Sequence, residues 1–378
     1  MVPARMMDVM SRRSVARGGL QERVRRVCVR AQEPLELLEN VASEVHAEIP
    51  YDASGWMIVD PDTMLITGIY AENVERERNL ALVECELAED DVNKFWEIAS
   101  RESPAASLSS STDGDLRRSV RWRRCYEPAG YGDELRAVFA SAGAVWGNVC
   151  ISRLSERQDF SPDEVDVVAR LAPHIGSGIR ACILLAETAD RHRPAGGGTE
   201  SQPGLMVVAD DGSVESMTPE AARWVGSVED EALDTSIVLH EVVHRARALA
   251  DDGDAGPPAC AHVRARSGEW IVVRGARLAD RPAGRGGTAL VLEPARRSDI
   301  APMLLRLHQL TRREQEVTQL LLLGMATGEI AHRLWITPET LRGHVKAVFA
   351  KLGVGSRPEL AALLSAQPVV RVPAAVRR

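Results

Sequence analysis

The chain has 378 residues, of which 45% are apolar and 26% charged, and a formal net charge of −8. That length exceeds a single hydrophobic core and implies two or three domains, and the composition excludes a disordered or collagen-like chain. Unbroken apolar runs, such as Leu320–Leu323, fall far short of the ~20 residues that span a bilayer, so no membrane partner is expected and the cytoplasm is the expected compartment.

The opening thirty residues carry Arg12, Arg13, Arg17, Arg23, Arg25 and Arg26 but no apolar stretch of the secretory kind. They read as a disordered or loosely helical lead-in, 1–30. Cys28, Cys85, Cys125, Cys150, Cys182 and Cys260 are too scattered for a zinc site or a redox dithiol, and are expected as reduced, mostly buried thiols. No cofactor and no metal are implied. The charge is uneven: residues 301–378 hold eleven Lys/Arg and five Asp/Glu, a balance of +6, which leaves −14 on the rest. One basic segment on an acidic body is the asymmetry of a chain that meets phosphates with one domain.

In chain order, residues 34–49 predict a helix, with Leu35, Leu38, Ala42, Val45 and Ile49 on one face. Gly55–Asp60, a Pro61-Asp62 turn and a second run ending at Tyr70 predict a β-hairpin. A short helix is expected around Asp91–Ile98, a loop over Ser107–Asp115 and a strand over Ala144–Leu154. Ser161-Pro162-Asp163-Glu164 combines a capping serine, a first-turn proline and a glutamate three residues on, and opens a helix to about Glu187. Residues 188–203, with Arg193-Pro-Ala-Gly-Gly-Gly198, form a linker.

From 204 to 295, two short strands flank the turn Asp210-Asp211-Gly212. Thr218 opens a helix toward Trp224, a longer helix covers Val238–Ala250, and three strands follow at Ala261–Arg266, Glu269–Leu278 and Thr288–Glu293. Both regions predict α+β domains. Residues 31–187 resemble a GAF-type sensor domain in their order of helix, hairpin, central helix, strands and closing helix. Residues 204–295 resemble a PAS-type domain in "DDG" and "TPEAARWV", although Met217 stands where PAS domains often carry Asn. Trp56, Trp146, Trp224 and Trp270 are the candidate ligand-pocket residues, though rings on strands more often serve the core.

After a connector at 296–309, residues 310–368 carry the strongest signal, followed by a tail at 369–378. Thr311 and Glu314 make a capping box before a helix striped by Val317, Leu320 and Leu321, and Gly324 stops it. A short helix from Thr327 to Leu334 and a turn at Trp335-Ile336 lead to Thr337-Pro338-Glu339, which caps a third helix. Leu341, Val345, Val348, Phe349 and Leu352 form its inward face, while Arg342, Gly343 and Lys346 face out near its start. A groove-reading helix presents bases with such residues. Thr340 at the positive helix end and Lys351 are expected phosphate contacts. The candidate DNA-facing set is Thr327, Thr337, Glu339, Thr340, Arg342, Gly343, Lys346 and Lys351.

"LTRREQEV", "GMATGEIAHRL", "ITPETLRGHVKAVFAKLGV" and "SRPEL" stand in the order and spacing of the C-terminal domain of LuxR-type (GerE-like) regulators, which this stretch resembles. The resemblance implies an all-α four-helix domain with its third helix in the major groove of promoter or operator DNA. It further implies a fourth helix from Ser356 that supports a homodimer, and RNA polymerase as a partner. Gly343 and Trp335 depart from the pattern, the first leaving one base-facing position bare. A small-molecule effector of unknown identity is expected for the sensor regions.

His240-Glu241-Val-Val-His244 matches the H-E-x-x-H pattern of zinc hydrolases, with two ligands on one helix face and Glu241 as base. Asp251, Asp252 and Asp254 follow in a loop, but no second helix carries an acid at a zincin-like position, so no third ligand is provided for. No phosphate loop, nucleophile elbow or kinase signature is present. The expected function is therefore a one-component transcription regulator, not an enzyme. The alternatives are an interaction adaptor with degenerate sensor domains and, more remotely, a zinc hydrolase.

Overall fold

The computed structural model describes residues 19–191, 202–228, 235–251, 256–265, 267–278 and 286–364. They divide into two compact units that meet at Pro294/Ala295. The lead-in up to residue 18, most of the 188–203 linker and the 369–378 tail lie outside the described residues.

Unit 1 opens on a helix, α1, over 19–30. Leu20, Val24 and Cys28 recur every fourth residue and are all buried, so this part of the lead-in is a packed helix. Helix α2 (Pro34–Glu48) buries Leu37, Leu38, Val41, Ala42 and Val45. Strands β1 (Ala53–Val59) and β2 (Ile66–Glu72) form the expected antiparallel hairpin. Two helices follow, α3 (Arg76–Ala88) and α4 (Phe95–Ser100). The loop expected over 107–115 is instead the end of β3 (Ala105–Ser107) and a single turn, α5 (Leu108–Ser111), started by the Ser107 side chain accepting from the Ser110 amide. Strands β4 (Tyr131–Ser141) and β5 (Ala144–Leu154) complete a sheet ordered β2-β1-β5-β4-β3, antiparallel throughout.

Helix α6 (Pro162–Arg191) lies across β4. Its start is the predicted box, with the Ser161 amide donating to Glu164 at 2.8 Å. Over Pro162–Ala189 it is long and apolar enough to cross a membrane, and 56% of its most apolar stretch is buried within the protein. The apolarity serves a core here: Val168, Leu171, Ile175 and Ile179 are all buried.

The second sheet repeats the first one's winding. Strands β6 (Gly204–Ala209), β7 (Val214–Met217), β8 (Cys260–Arg264), β9 (Trp270–Leu278) and β10 (Gly287–Pro294) are ordered β7-β6-β10-β9-β8. Helices α7 (Pro219–Val228) and α8 (Thr235–Asp251) cover one face, over a core that includes Trp224, Val242, Val243, Ile271 and Leu290.

The turn between β1 and β2 belongs to both layers. Leu65 is buried in the core of the second sheet. Asp60 is fully buried and accepts from the His262 amide at 3.0 Å and lies 2.7 Å from its ring Nδ1. The Ile66 amide donates to the Glu241 carboxyl on α8, and α8 packs along α3. At the far end of the layer the Trp270 indole donates to Glu187 at 3.0 Å.

Unit 2 is all-helical: α9 (Arg297–Leu307), α10 (Arg312–Leu322), α11 (Thr327–Arg333), α12 (Pro338–Leu352) and α13 (Arg357–Leu364). The stretch expected as a connector is thus a helix with its own apolar face. Ile300, Met303, Leu304, Leu305 and Leu307 are buried, and α9 packs on α13.

One polar cluster is buried in unit 1. Glu134 on β4 accepts from Arg121 at 2.8 Å, from Arg136 at 3.0 Å and from the Tyr126 hydroxyl at 2.8 Å. Arg136 also reaches Glu86 at 2.6 Å and Arg121 reaches Asp91 at 3.3 Å. Replacing the carboxylate leaves two guanidinium groups without their shared partner away from water. Glu134→Leu is expected to cost roughly 3–5 kcal/mol, measurable as a lowered urea midpoint for unit 1.

Candidate functional site

Unit 2 is built from helix ends. At the start of α10 the Thr311 hydroxyl accepts from the Glu314 amide at 3.3 Å, and Glu314 accepts from the Thr311 amide at 2.7 Å. At the end of α10, Gly324 adopts φ +84° and the Met325 amide closes onto Leu320. The end of α11 repeats that closure with a different residue. The Ile336 amide donates to the Ala331 carbonyl at 3.0 Å and the Trp335 amide to His332 at 3.1 Å. Trp335 therefore holds the left-handed position that glycine usually fills, at φ +55°. Its ring is 89% exposed and stacks on His332 at 6.0 Å. This fixes the angle between α11 and α12 at a backbone cost of ~1–2 kcal/mol relative to glycine.

On α12 the Thr337 hydroxyl accepts from the Thr340 amide at 3.1 Å, and Pro338 takes the first turn. Leu341, Val348 and Leu352 are buried, while Val345 and Phe349 are half-buried at the edge of that stripe. Thr337, Glu339, Thr340, Arg342, Gly343 and Lys346 are all exposed, as is Thr327 on α11. Arg342 pairs with Glu339 one turn back, which holds the guanidinium along the helix rather than folded against the core.

Lys351 is placed differently from expectation. Its ammonium lies 2.6 Å from Glu314 and donates to the Gln309 carbonyl at 2.9 Å. Burial pushes the Glu314 carboxyl up, but Lys351 and the Thr311 amide outweigh it and hold the group below its ordinary range. Lys351 is therefore a tether between the end of α12 and the cap of α10. Two other basic side chains serve the fold in the same way, Arg313 on the Leu334 carbonyl and Arg357 on the Leu321 carbonyl at 2.9 Å. Positive charge counted along the sequence overstates what remains for phosphates.

Unit 1 contains a cavity of about 510 Å³ between one face of the first sheet, α3, α4, the 61–66 turn and α8. Met57, Val83, Phe95 and Ile237 give it apolar walls, and Asn148, Cys150 and Glu241 supply polar groups. Burial, with Glu134 nearby, pushes the Cys150 thiol up to about 11, so it stays protonated. Burial pushes Glu241 up to about 8 despite the opposing Ile66 amide.

None of the four tryptophans expected at a pocket lines this cavity. Successive strand residues face opposite sides; Met57 faces the cavity, so Trp56 faces away and stacks on Phe139 at 6.0 Å. Trp146 is buried and donates to the Ser141 carbonyl at 2.9 Å. Trp224 lies in the second core, and Trp270 is held by Glu187. Strand parity was the available signal: Gly55 and Met57 on β1, and Asn148, Cys150 and Ser152 on β5, share the other face.

The H-E-x-x-H stretch lies on α8. The His240 and His244 rings are 4.3 Å apart, and burial, then the charge of His240, lowers His244 to about 4. Glu241 is spent on the Ile66 amide. Among the described residues no group of three His, Cys, Asp or Glu is arranged to hold a metal ion. Asp252 and Asp254 lie outside the described residues.

Residues 308–364 match the model of "Bacterial regulatory proteins, luxR family". The spore germination protein GerE of Bacillus subtilis is 44% identical over 50 residues, 13% of this chain and 68% of that protein. The chain belongs to the luxR family. A helix-turn-helix-type transcriptional regulator from the exeN 3′ region of Aeromonas salmonicida is 48% identical over 52 residues, 14% of this chain. The chain spans about a quarter of that relative's length, 26%. Escherichia coli SdiA shares 12% identity at a TM-score of 0.33, over 89% of this chain and 93% of its own. The GAF domain of an Acinetobacter phosphoenolpyruvate-protein phosphotransferase shares 12% at 0.32, over 47% of this chain and 98% of its own. The fold of unit 1 rests on its own topology.

Two expectations follow from the luxR-type unit and the cavity. A β-carbon at Gly343 meets nothing within 4 Å, so Gly343→Ala gains helix propensity of about 1 kcal/mol without a clash. The melting transition of unit 2 should rise by roughly 4–8 °C in calorimetry. Glu241 binds its proton more tightly folded than unfolded, so its contribution is full below its ordinary range and is lost as pH rises toward about 8. Glu241→Gln should flatten the decline in melting temperature of unit 1 between pH 5 and 8.

Proposed function

We propose that the chain is a sequence-specific, one-component transcription regulator. In this reading α12 enters the major groove of a promoter or operator and the two sheets of unit 1 bias the DNA-binding state. The observation that carries it is the division of α12: Leu341, Val348 and Leu352 are buried while Arg342 and Lys346, one turn apart, are exposed next to a capped N-terminus.

Arg342 takes the base-reading role, since a guanidinium donates two parallel bonds to a guanine edge. Glu339, now its partner, exchanges with that edge. Lys346 serves the same groove, and Thr327, Thr337 and Thr340 meet phosphates through hydroxyls and the α12 amides. Gly343 lets the backbone approach the groove closely but reads nothing itself. Pairing of two copies through α13 would match a pseudo-palindromic site, with RNA polymerase as the downstream partner. An effector acts by binding two arrangements of the regulator unequally.

Fluorescence anisotropy of the full chain on its own upstream DNA tests the reading. Binding should weaken steeply with salt. Arg342→Ala should lose about 1–3 kcal/mol of preference at one base-pair position. Failure of the full chain to bind any fragment of that region overturns it and leaves the adaptor reading.

A further inference from the structure

The cavity of unit 1 has three properties that together specify an occupant. Its volume of about 510 Å³ gives room for roughly seventeen non-hydrogen atoms at the ~30 Å³ share of a water molecule. Three of its four cationic lining groups are already engaged, the fourth being Lys94. Arg136 is held by Glu134 at 3.0 Å and Glu86 at 2.6 Å, Arg78 donates to the Asn73 carbonyl at 2.8 Å, and Arg245 donates to the Pro257 carbonyl at 2.9 Å. One acceptor is left over: Asn148 is 2% exposed, lines the cavity from β5, and its side-chain oxygen has no hydrogen-bond partner. A buried amide oxygen without a donor is unfavourable, and a bound N–H or O–H group removes that penalty.

The wall opposite β5 is unusual because it belongs to the second sheet's layer. Ile237 and Glu241 reach the cavity from α8, and the turn residues 61–66 line it as well. Within that turn Leu65 is part of the second core, while Asp60 and Ile66 on either side are clasped by His262 and Glu241. A molecule in the cavity therefore touches the same short segment that anchors the second sheet.

We propose that unit 1 binds a neutral, largely apolar small molecule of this size, its hydrogen-bond donor on Asn148, and that occupancy passes to the second sheet through the 60–66 turn and α8. This deepens the reading of unit 1 as the regulatory half, and its test involves no DNA, so either can fail without the other.

N-phenyl-1-naphthylamine is the probe: neutral, aromatic, of the required size, with a single N–H, and fluorescent when removed from water. Its sulfonated relative 8-anilinonaphthalene-1-sulfonate adds one negative charge. Titrated into the full chain, the neutral probe should bind one per chain, and at least tenfold more tightly than the sulfonate. Val83→Phe and, as a second filling variant, Cys150→Leu should each weaken it at least tenfold while keeping the wild-type melting profile. Asn148→Leu should weaken it about threefold to tenfold. Hydrogen exchange should slow on binding in 60–66 and 237–246. Equal binding to folded filling variants, tighter binding of the sulfonate, or unchanged exchange in both segments overturns the proposal.

Discussion

A carboxylate shut away from water must be matched on every side, and in unit 1 that carboxylate is Glu134. Burial alone pushes its pKa up, yet Arg121 and Arg136 outweigh it and bring the group down to about 2. Each arginine then carries the requirement outward. Arg121 holds Asp91 in the segment between α3 and α4, and Arg136 holds Glu86 on α3 while lying over the Phe95 ring at 4.2 Å. The helical wall of the cavity is thereby fixed to the sheet by directional bonds. An apolar floor would have let α3 and α4 settle onto β4 and β5 until the space closed.

The same logic explains which parts of the molecule were readable from the chain. Unit 2 announces itself through short-range chemistry: Thr311 with Glu314, Thr337 with Pro338, and the glycine at 324 are local signals whose partners lie within a few residues. Strand β4 was invisible because Asp133, Glu134 and Arg136 look like surface residues until Arg121 and Glu86 are brought to them from elsewhere. Helix α3 was invisible because its apolar positions, Leu80, Val83 and Leu87, are diluted by glutamates and arginines that only α8 and the sheet make sense of.

The site was legible to a different depth in each unit. Exposure of Arg342, Gly343 and Lys346 follows from the 3.6-residue period alone. The role of Lys351 does not, because its partner Glu314 lies on another helix and both residues look like free surface charges in sequence. Trp335 could be seen to be odd but not why, since a left-handed backbone at a bulky residue shows only in the dihedral angle. In unit 1 the large aromatic residues drew attention, whereas strand parity and one unsatisfied amide mark the cavity.

The turn shared by the two sheets has a consequence for how such a chain is inherited. Two domains joined only by a linker can be recombined freely, since cutting the linker leaves each core whole. Here the cut would strip Leu65 from the second core and leave Asp60 and Glu241 buried without His262 and the Ile66 amide. The two layers of unit 1 therefore form a single heritable module despite their separate sheets. A break at 294/295 would instead leave both cores of unit 1 whole, so the two layers would travel together.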